Sequence, residues 1–90
     1  DDTLGWIYYQ KNLLPQAITA LRHSIELQPS NATYQYHLGL AYTKSGDKSR
    51  GRRALETALK LNPTFAGAVE ASTTVASLRE SGDVTHPQPR

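Results

Sequence analysis

Apolar positions recur along this chain at helical spacing, in segments punctuated by proline and glycine. Leu4, Ile7 and Tyr8 stand at i, i+3 and i+4, which puts them on one face of a helix predicted from about Asp2 to Lys11. Leu13-Leu14-Pro15 reads as a turn, with Pro15 in the first turn of a second helix, where no amide partner is lost. That helix is expected to run to about Gln28 and to bury Ala17, Ile18, Leu21, Ser24 and Ile25. Pro29 ends it, because the residue before a proline is pushed out of the helical region. Ser30 or Asn31 caps a third helix packed through Tyr34, Leu38, Ala41 and Tyr42. Gly46 closes that helix in the left-handed conformation, and Asp47 caps a fourth whose Leu55, Ala58 and Leu59 face inward. After Pro63 a fifth helix is predicted from about Thr64 to Glu80, with Phe65, Ala68, Val69, Ser72, Val75 and Ala76 on its buried face and Gly82 as its stop. Residues 83–90, with Pro87 and Pro89, have little to bury and are expected to be disordered.

The pattern repeats. At a shift of 34 residues Leu4, Gly5, Tyr8, Ala20, Leu21, Leu27 and Pro29 recur as Leu38, Gly39, Tyr42, Ala54, Leu55, Leu61 and Pro63. A fixed period of this length marks stacked supersecondary units, none of which can bury its apolar face alone. Leucine-glycine, then tyrosine, then an alanine-x3-leucine step and a proline resemble the tetratricopeptide repeat. The resemblance covers residues 1–63. It implies an all-α fold, a short right-handed solenoid of two helix-turn-helix repeats over residues 1–29 and 30–63, closed by a capping helix over 64–82. More loosely, the segments 4–9 and 36–42 are similar to C-terminal repeats of long bacterial members of this family, some associated with exopolysaccharide export and envelope sorting.

Three positions depart from the motif. Asp1 and Gln35 stand where it prefers tryptophan, Asn12 replaces the inter-helix glycine that Gly46 keeps, and Gly51 occupies a small-residue position that prefers alanine. A glycine inside a helix costs about 1 kcal/mol relative to alanine, so Gly51 is expected to soften the second repeat.

Composition narrows the reading further. Ninety residues with 38% apolar and 20% charged content suit one globular domain, and no run is apolar enough to span a bilayer. With no methionine, the sequence reads as a piece of a longer protein. The lack of cysteine excludes disulfides, thiol catalysis and cysteine-ligated zinc, and suits cytoplasm and periplasm equally. His23, His37 and His86 are too scattered for a metal site, and no nucleophile elbow, phosphate-binding glycine loop or carboxylate pair is present. No enzyme chemistry, metal or cofactor is therefore expected.

A second stripe remains on two of the helices. Asp2, Trp6 and Tyr9 lie opposite the packing face of the first helix, and Tyr36, Leu40 and Thr43 lie opposite that of the third, with His37 and Lys44 at its borders. A solvent-facing stripe should be polar, and these are not. Either they pack against neighbouring helices or they meet a partner. In tetratricopeptide repeats the first helix of each pair lines a concave groove, so the resemblance implies that Trp6, Tyr9, Gln10, Tyr36, Leu40, Thr43 and Lys44 face a peptide or partner helix; Glu70, Thr73 and Thr74 of the fifth helix are candidates to close that groove. The clamp by which some such domains hold a C-terminal carboxylate falls here on Asp2, Trp6, His37, Gly67 and Ala71, which lack its basic and asparagine donors.

Charge supplies one further candidate. The net charge is +2, but Lys44, Lys48, Arg50, Arg52 and Arg53 crowd into ten residues. Lys48, Arg50, Arg52 and Arg53 form a candidate anion surface; without an aromatic among them to stack a base, a solvated outer helix face is the simpler explanation and nucleic acid is not the expected partner. The sequence thus predicts a non-enzymatic protein-interaction module. A structural unit for self-association, its uncovered first helix stacking on another copy or on upstream repeats, is the alternative, and the monomer is expected to be marginally stable with amide exchange fastest in that helix.

Overall fold

A computed structural model describes residues 3–85 as five α-helices: α1 (Leu4–Gln10), α2 (Leu14–Leu27), α3 (Ala32–Lys44), α4 (Lys48–Leu61) and α5 (Ala68–Thr85). They pack in chain order, α1 on α2, α2 on α3, α3 on α4 and α4 on α5, which is the neighbour-to-neighbour arrangement of a helical repeat.

Short polar side chains start three of the helices. Thr3 Oγ1 accepts from the Trp6 amide at 3.3 Å, Asn31 Oδ1 from the Tyr34 amide at 3.0 Å and Asp47 Oδ1 from the Arg50 amide at 3.2 Å. Of the two residues expected to cap α3, Asn31 does so. The α2 start has no side-chain cap and carries Pro15 in its first turn.

The two intra-repeat turns are the same turn 34 residues apart. Asn12 at φ 63° and Gly46 at φ 98° both take the left-handed conformation. Behind them the Leu13 amide donates to Tyr8 O and the Asp47 amide to Tyr42 O, each at 2.9 Å, while Asn12 N reaches Tyr9 O at 2.9 Å and Gly46 N reaches Thr43 O at 3.1 Å. These paired bonds satisfy the last carbonyls of α1 and α3 and reverse the chain. Asparagine therefore does in the first repeat what glycine does in the second.

Two buried clusters follow from this stacking. Ala17 and Leu21 of α2 meet Leu38 and Ala41 of α3 and Ala54 of α4, with Tyr8, Tyr9, Ile18, Ile25 and Tyr42 against them. Leu55 and Ala58 of α4 meet Ala32, Phe65, Ala71, Val75 and Leu78, flanked by Tyr36, Leu59 and Ala68. Ser24, expected inside, is only half-buried. Leu4 and Ile7 of α1, expected to pack, are exposed, because among the described residues α1 packs mainly on α2 and touches α3 sparingly.

The last helix differs from expectation in start, end and face. Asn62 Oδ1 accepts from both the amide and hydroxyl of Thr64, and the Phe65 amide returns to Asn62 O, so residues 62–67 form turns and α5 begins at Ala68. Phe65 is thus buried from a turn, out of phase with the helix. The face that α5 turns to α4 is Ala71, Val75 and Leu78, while Val69 is 75% exposed and Ser72 and Ala76 face away. Gly82 does not stop the helix, which continues to Thr85. Of the segment 83–90 expected to be disordered, residues 83–85 continue α5 and 86–90, with His86, lie outside the described residues, as does Asp2.

Gly51 also reverses its expectation. The Thr43 hydroxyl donates to Gly39 O at 2.8 Å on the side of α3 that α4 covers. A methyl group added at Gly51 would strike Thr43 Oγ1 and lie 3.0 Å from Gly39 O and 3.1 Å from Thr43 N. The glycine is therefore what lets the two helices approach, so it is a packing requirement of the second repeat. Gly39 itself lies under Leu55, whose Cγ would sit 2.6 Å from an added Cβ, just as Gly5 lies under Leu21.

Candidate interaction surface

The stripe shared by α1 and α3 is a ladder of rings. Trp6 stacks on His37 with centroids 3.8 Å apart and planes 13° from parallel, and Tyr9 stacks on Trp6 at 4.8 Å and 9°. Trp6 and Tyr9 meet because α1 places them three residues apart. Lys44 Nζ, from the end of α3, lies 5.1 Å from the centre of the Tyr9 ring. On the other side of His37, Tyr36 follows at 5.7 Å and Phe65 meets Tyr36 edge-on at 5.4 Å and 64°. The ladder thus runs from a cation through five rings, joining α1, α3 and the turn before α5. Stacked pairs are worth about 0.5–1.5 kcal/mol each beyond the area they bury, and an exposed cation over a ring about 0.5–1 kcal/mol.

Of the seven residues expected on this surface, Trp6, Tyr9, Tyr36 and Lys44 belong to the ladder. Tyr36 is also structural: its ring covers Gly67, where an added Cβ would fall 2.6 Å from Cε2, and flanks the α4–α5 cluster. Leu40 is half-buried and Gln10 exposed. Thr43 leaves the set, because its side chain is turned to α4 and lies against Gly51.

His37, placed on the border of the stripe, turns out to be its centre. It is 6% exposed, and its Nδ1 is buried with no hydrogen-bond partner. Burial pushes its pKa down to about 4, so the ring is neutral at pH 7 and stacks as an uncharged aromatic. The sequence did carry a signal, since His37 is in phase with Tyr34, Leu38 and Ala41. Its polarity concealed it. Tyr36 has its phenol pKa raised by burial and then by the charge of Glu70, which puts the expected far end of the surface within electrostatic reach of the ladder.

The four basic residues of the candidate anion surface do not converge. Arg50 and Arg53, three apart on α4, line a cleft of about 240 Å³ with Gln35, Tyr42, Ala54 and Thr57, whereas Lys48 and Arg52 lie outside it. Arg50 also faces Asp47 at 3.5 Å, so the cap partly neutralises that cation at the start of α4. Among the described residues no three histidine or acidic side chains group as a metal site, and no helix is long and apolar enough to cross a membrane.

Comparison with known proteins agrees with this architecture. A model described as a TPR repeat matches residues 5–46, and a second, described as a tetratricopeptide repeat, matches residues 32–65. Bacteriophage adsorption protein A of Escherichia coli (strain K12) is 43% identical over 54 residues, which cover 60% of this chain and 6% of that protein.

Proposed function

The chain belongs to the tetratricopeptide repeat family, and on that premise we propose that it is a protein-interaction module holding a peptide or partner helix along the face shared by α1 and α3. Members of the family are generally protein-binding and typically non-enzymatic scaffolds. The observation that carries the reading is the ladder. Its stacked rings fix Trp6 and Tyr9 in place before any partner arrives, so half-exposed aromatic edges are presented without the entropy cost of ordering them. Exposed Gln10 and Lys44 border one end, and exposed Glu70 the other, which gives the face opposite charges at its two limits.

A pull-down tests this with variants that leave the five rings unchanged. Gln10→Glu/Lys44→Glu changes only exposed positions and should keep the helical spectrum while losing the captured partner. Arg22→Glu, on the exposed side of α2, should retain it. Equal capture by both variants and the native chain at matched salt would reject the assigned face.

A further inference from the structure

Four matching positions line a cleft in each repeat, and their chemistry differs. Between α1 and α2 the cleft is uncharged, with Tyr8, Gln16, Thr19 and Ala20 in its wall. Between α3 and α4 the residues 34 positions on are Tyr42, Arg50, Arg53 and Ala54, joined by Gln35 and Thr57 around about 240 Å³. Tyrosine and alanine are kept, while two neutral side chains become two guanidiniums. The helical hairpin does not require them, since α1 packs on α2 with Gln16 and Thr19 in the same places. Little competes for their charge. No acid occurs in α3; Glu56, the one acid of α4, pairs with Arg79 of α5 at 3.4 Å, and the cap Asp47 faces Arg50 at 3.5 Å. Among the described residues Arg53 has no carboxylate partner.

We infer that the α3–α4 cleft binds a phosphate group, held by Arg50 and Arg53. Three residues apart on one helix, the two guanidiniums share a face and offer forked donors that match oxyanions. Gln35 and Tyr42 bring an amide and a phenol, both donors, to the α3 wall. Thr57 adds wall alone, because its hydroxyl proton goes to Arg53 O at 2.9 Å. Donors on two walls suit a tetrahedral anion, whose oxygens point to both, better than a carboxylate, whose two oxygens lie in one plane and are taken by a single fork. The cleft is smaller than the roughly 300–1,000 Å³ that encloses a drug-sized ligand, so it suits one anionic group and not a whole nucleotide. Lys48 and Arg52, outside the cleft on the same helix, raise the positive potential around it. No ring of the ladder lines this cleft, so the inference does not depend on what the ladder binds.

The test is an amide chemical-shift titration of the full chain with inorganic phosphate at constant ionic strength, above the second phosphate pKa of about 6. Saturable shifts are expected at Gln35, Tyr42, Arg50 and Arg53, and none at Tyr8, Gln16 and Thr19, the matching cleft serving as an internal control. Arg53 is exposed, so its variants leave the fold. Arg53→Gln should weaken binding about tenfold or more, and Arg53→Lys, which keeps the charge and loses the fork, should weaken it as well. Arg22→Gln, on the exposed side of α2, should bind as the native chain does. A second arm titrates phosphoserine blocked at both ends: tighter binding than inorganic phosphate assigns the group to a monoester, and equal or weaker binding assigns the free ion. Shifts that never saturate, equal shifts in both repeats, equal affinity for acetate, or undiminished binding by either Arg53 variant would overturn the inference.

Discussion

Gly51 and His37 carry the most information per residue, and both invert what their types suggest. Alanine at position 51 would gain about 1 kcal/mol of helix propensity. Against that stands a methyl group driven into Thr43 Oγ1 and two backbone atoms at 3.0–3.1 Å, and overpacking of this kind costs about 1–3 kcal/mol. Gly51→Ala should therefore lower the thermal midpoint. Adding Thr43→Ala should recover part of the loss, because it removes the side-chain clash and leaves the backbone one; a rise in midpoint for the single variant would refute the packing role. His37 makes the opposite demand on solution conditions. Its folded pKa of about 4 lies below the unfolded value of about 6.5, so the unfolded chain binds more protons between them. Its contribution to stability is thus fully present above pH 6.5 and is lost as pH falls towards 4. Urea midpoints should decline through that window, and His37→Phe, which cannot protonate, should flatten the decline.

At the level of elements, turn chemistry was legible and helix phase at the end of the chain was not. The caps Asn31 and Asp47, the breaks at Pro29 and Pro63 and the left-handed Gly46 all follow from local rules that tertiary context did not override. Apolar spacing gives the wrong face for α5 because it takes Phe65 into the helix, whereas the Asn62 turn holds it outside and the buried set is Ala71, Val75 and Leu78. A side-chain-to-backbone turn competes with helix initiation, and apolar spacing alone does not reveal which wins. The paired turns give a sharper test. Nothing lies within 4 Å of a Cβ built at Gly46, so Gly46→Ala meets only the cost of the left-handed backbone, about 1–2 kcal/mol. Gly46→Asn should cost less than Gly46→Ala, since Asn12 holds the same turn in the first repeat; equal midpoints for the two variants would contradict this.

Across the whole molecule, the 34-residue period fixed the family and the order of packing, because stacked units reuse the same contacts and the same small residues beneath the same leucines. The ring ladder was legible only in part. Helical spacing found Trp6, Tyr9, Tyr36 and Lys44, yet it could not foresee that Thr43 would turn to Gly51 or that a histidine would be buried at the ladder's centre. Those outcomes depend on how closely α3 approaches α4 and how α1 lies on α3, distances that no single helix encodes. The most direct measurement is site-specific photo-crosslinking, with a benzoylphenylalanine at exposed position 10 beside the ladder and, in a separate chain, at exposed position 22 on α2. The account predicts one protein adduct from position 10, competed away by excess unlabelled chain, and none of it from position 22. The same adduct in equal yield from both positions, or adducts at position 22 alone, would contradict a partner seated along the ladder.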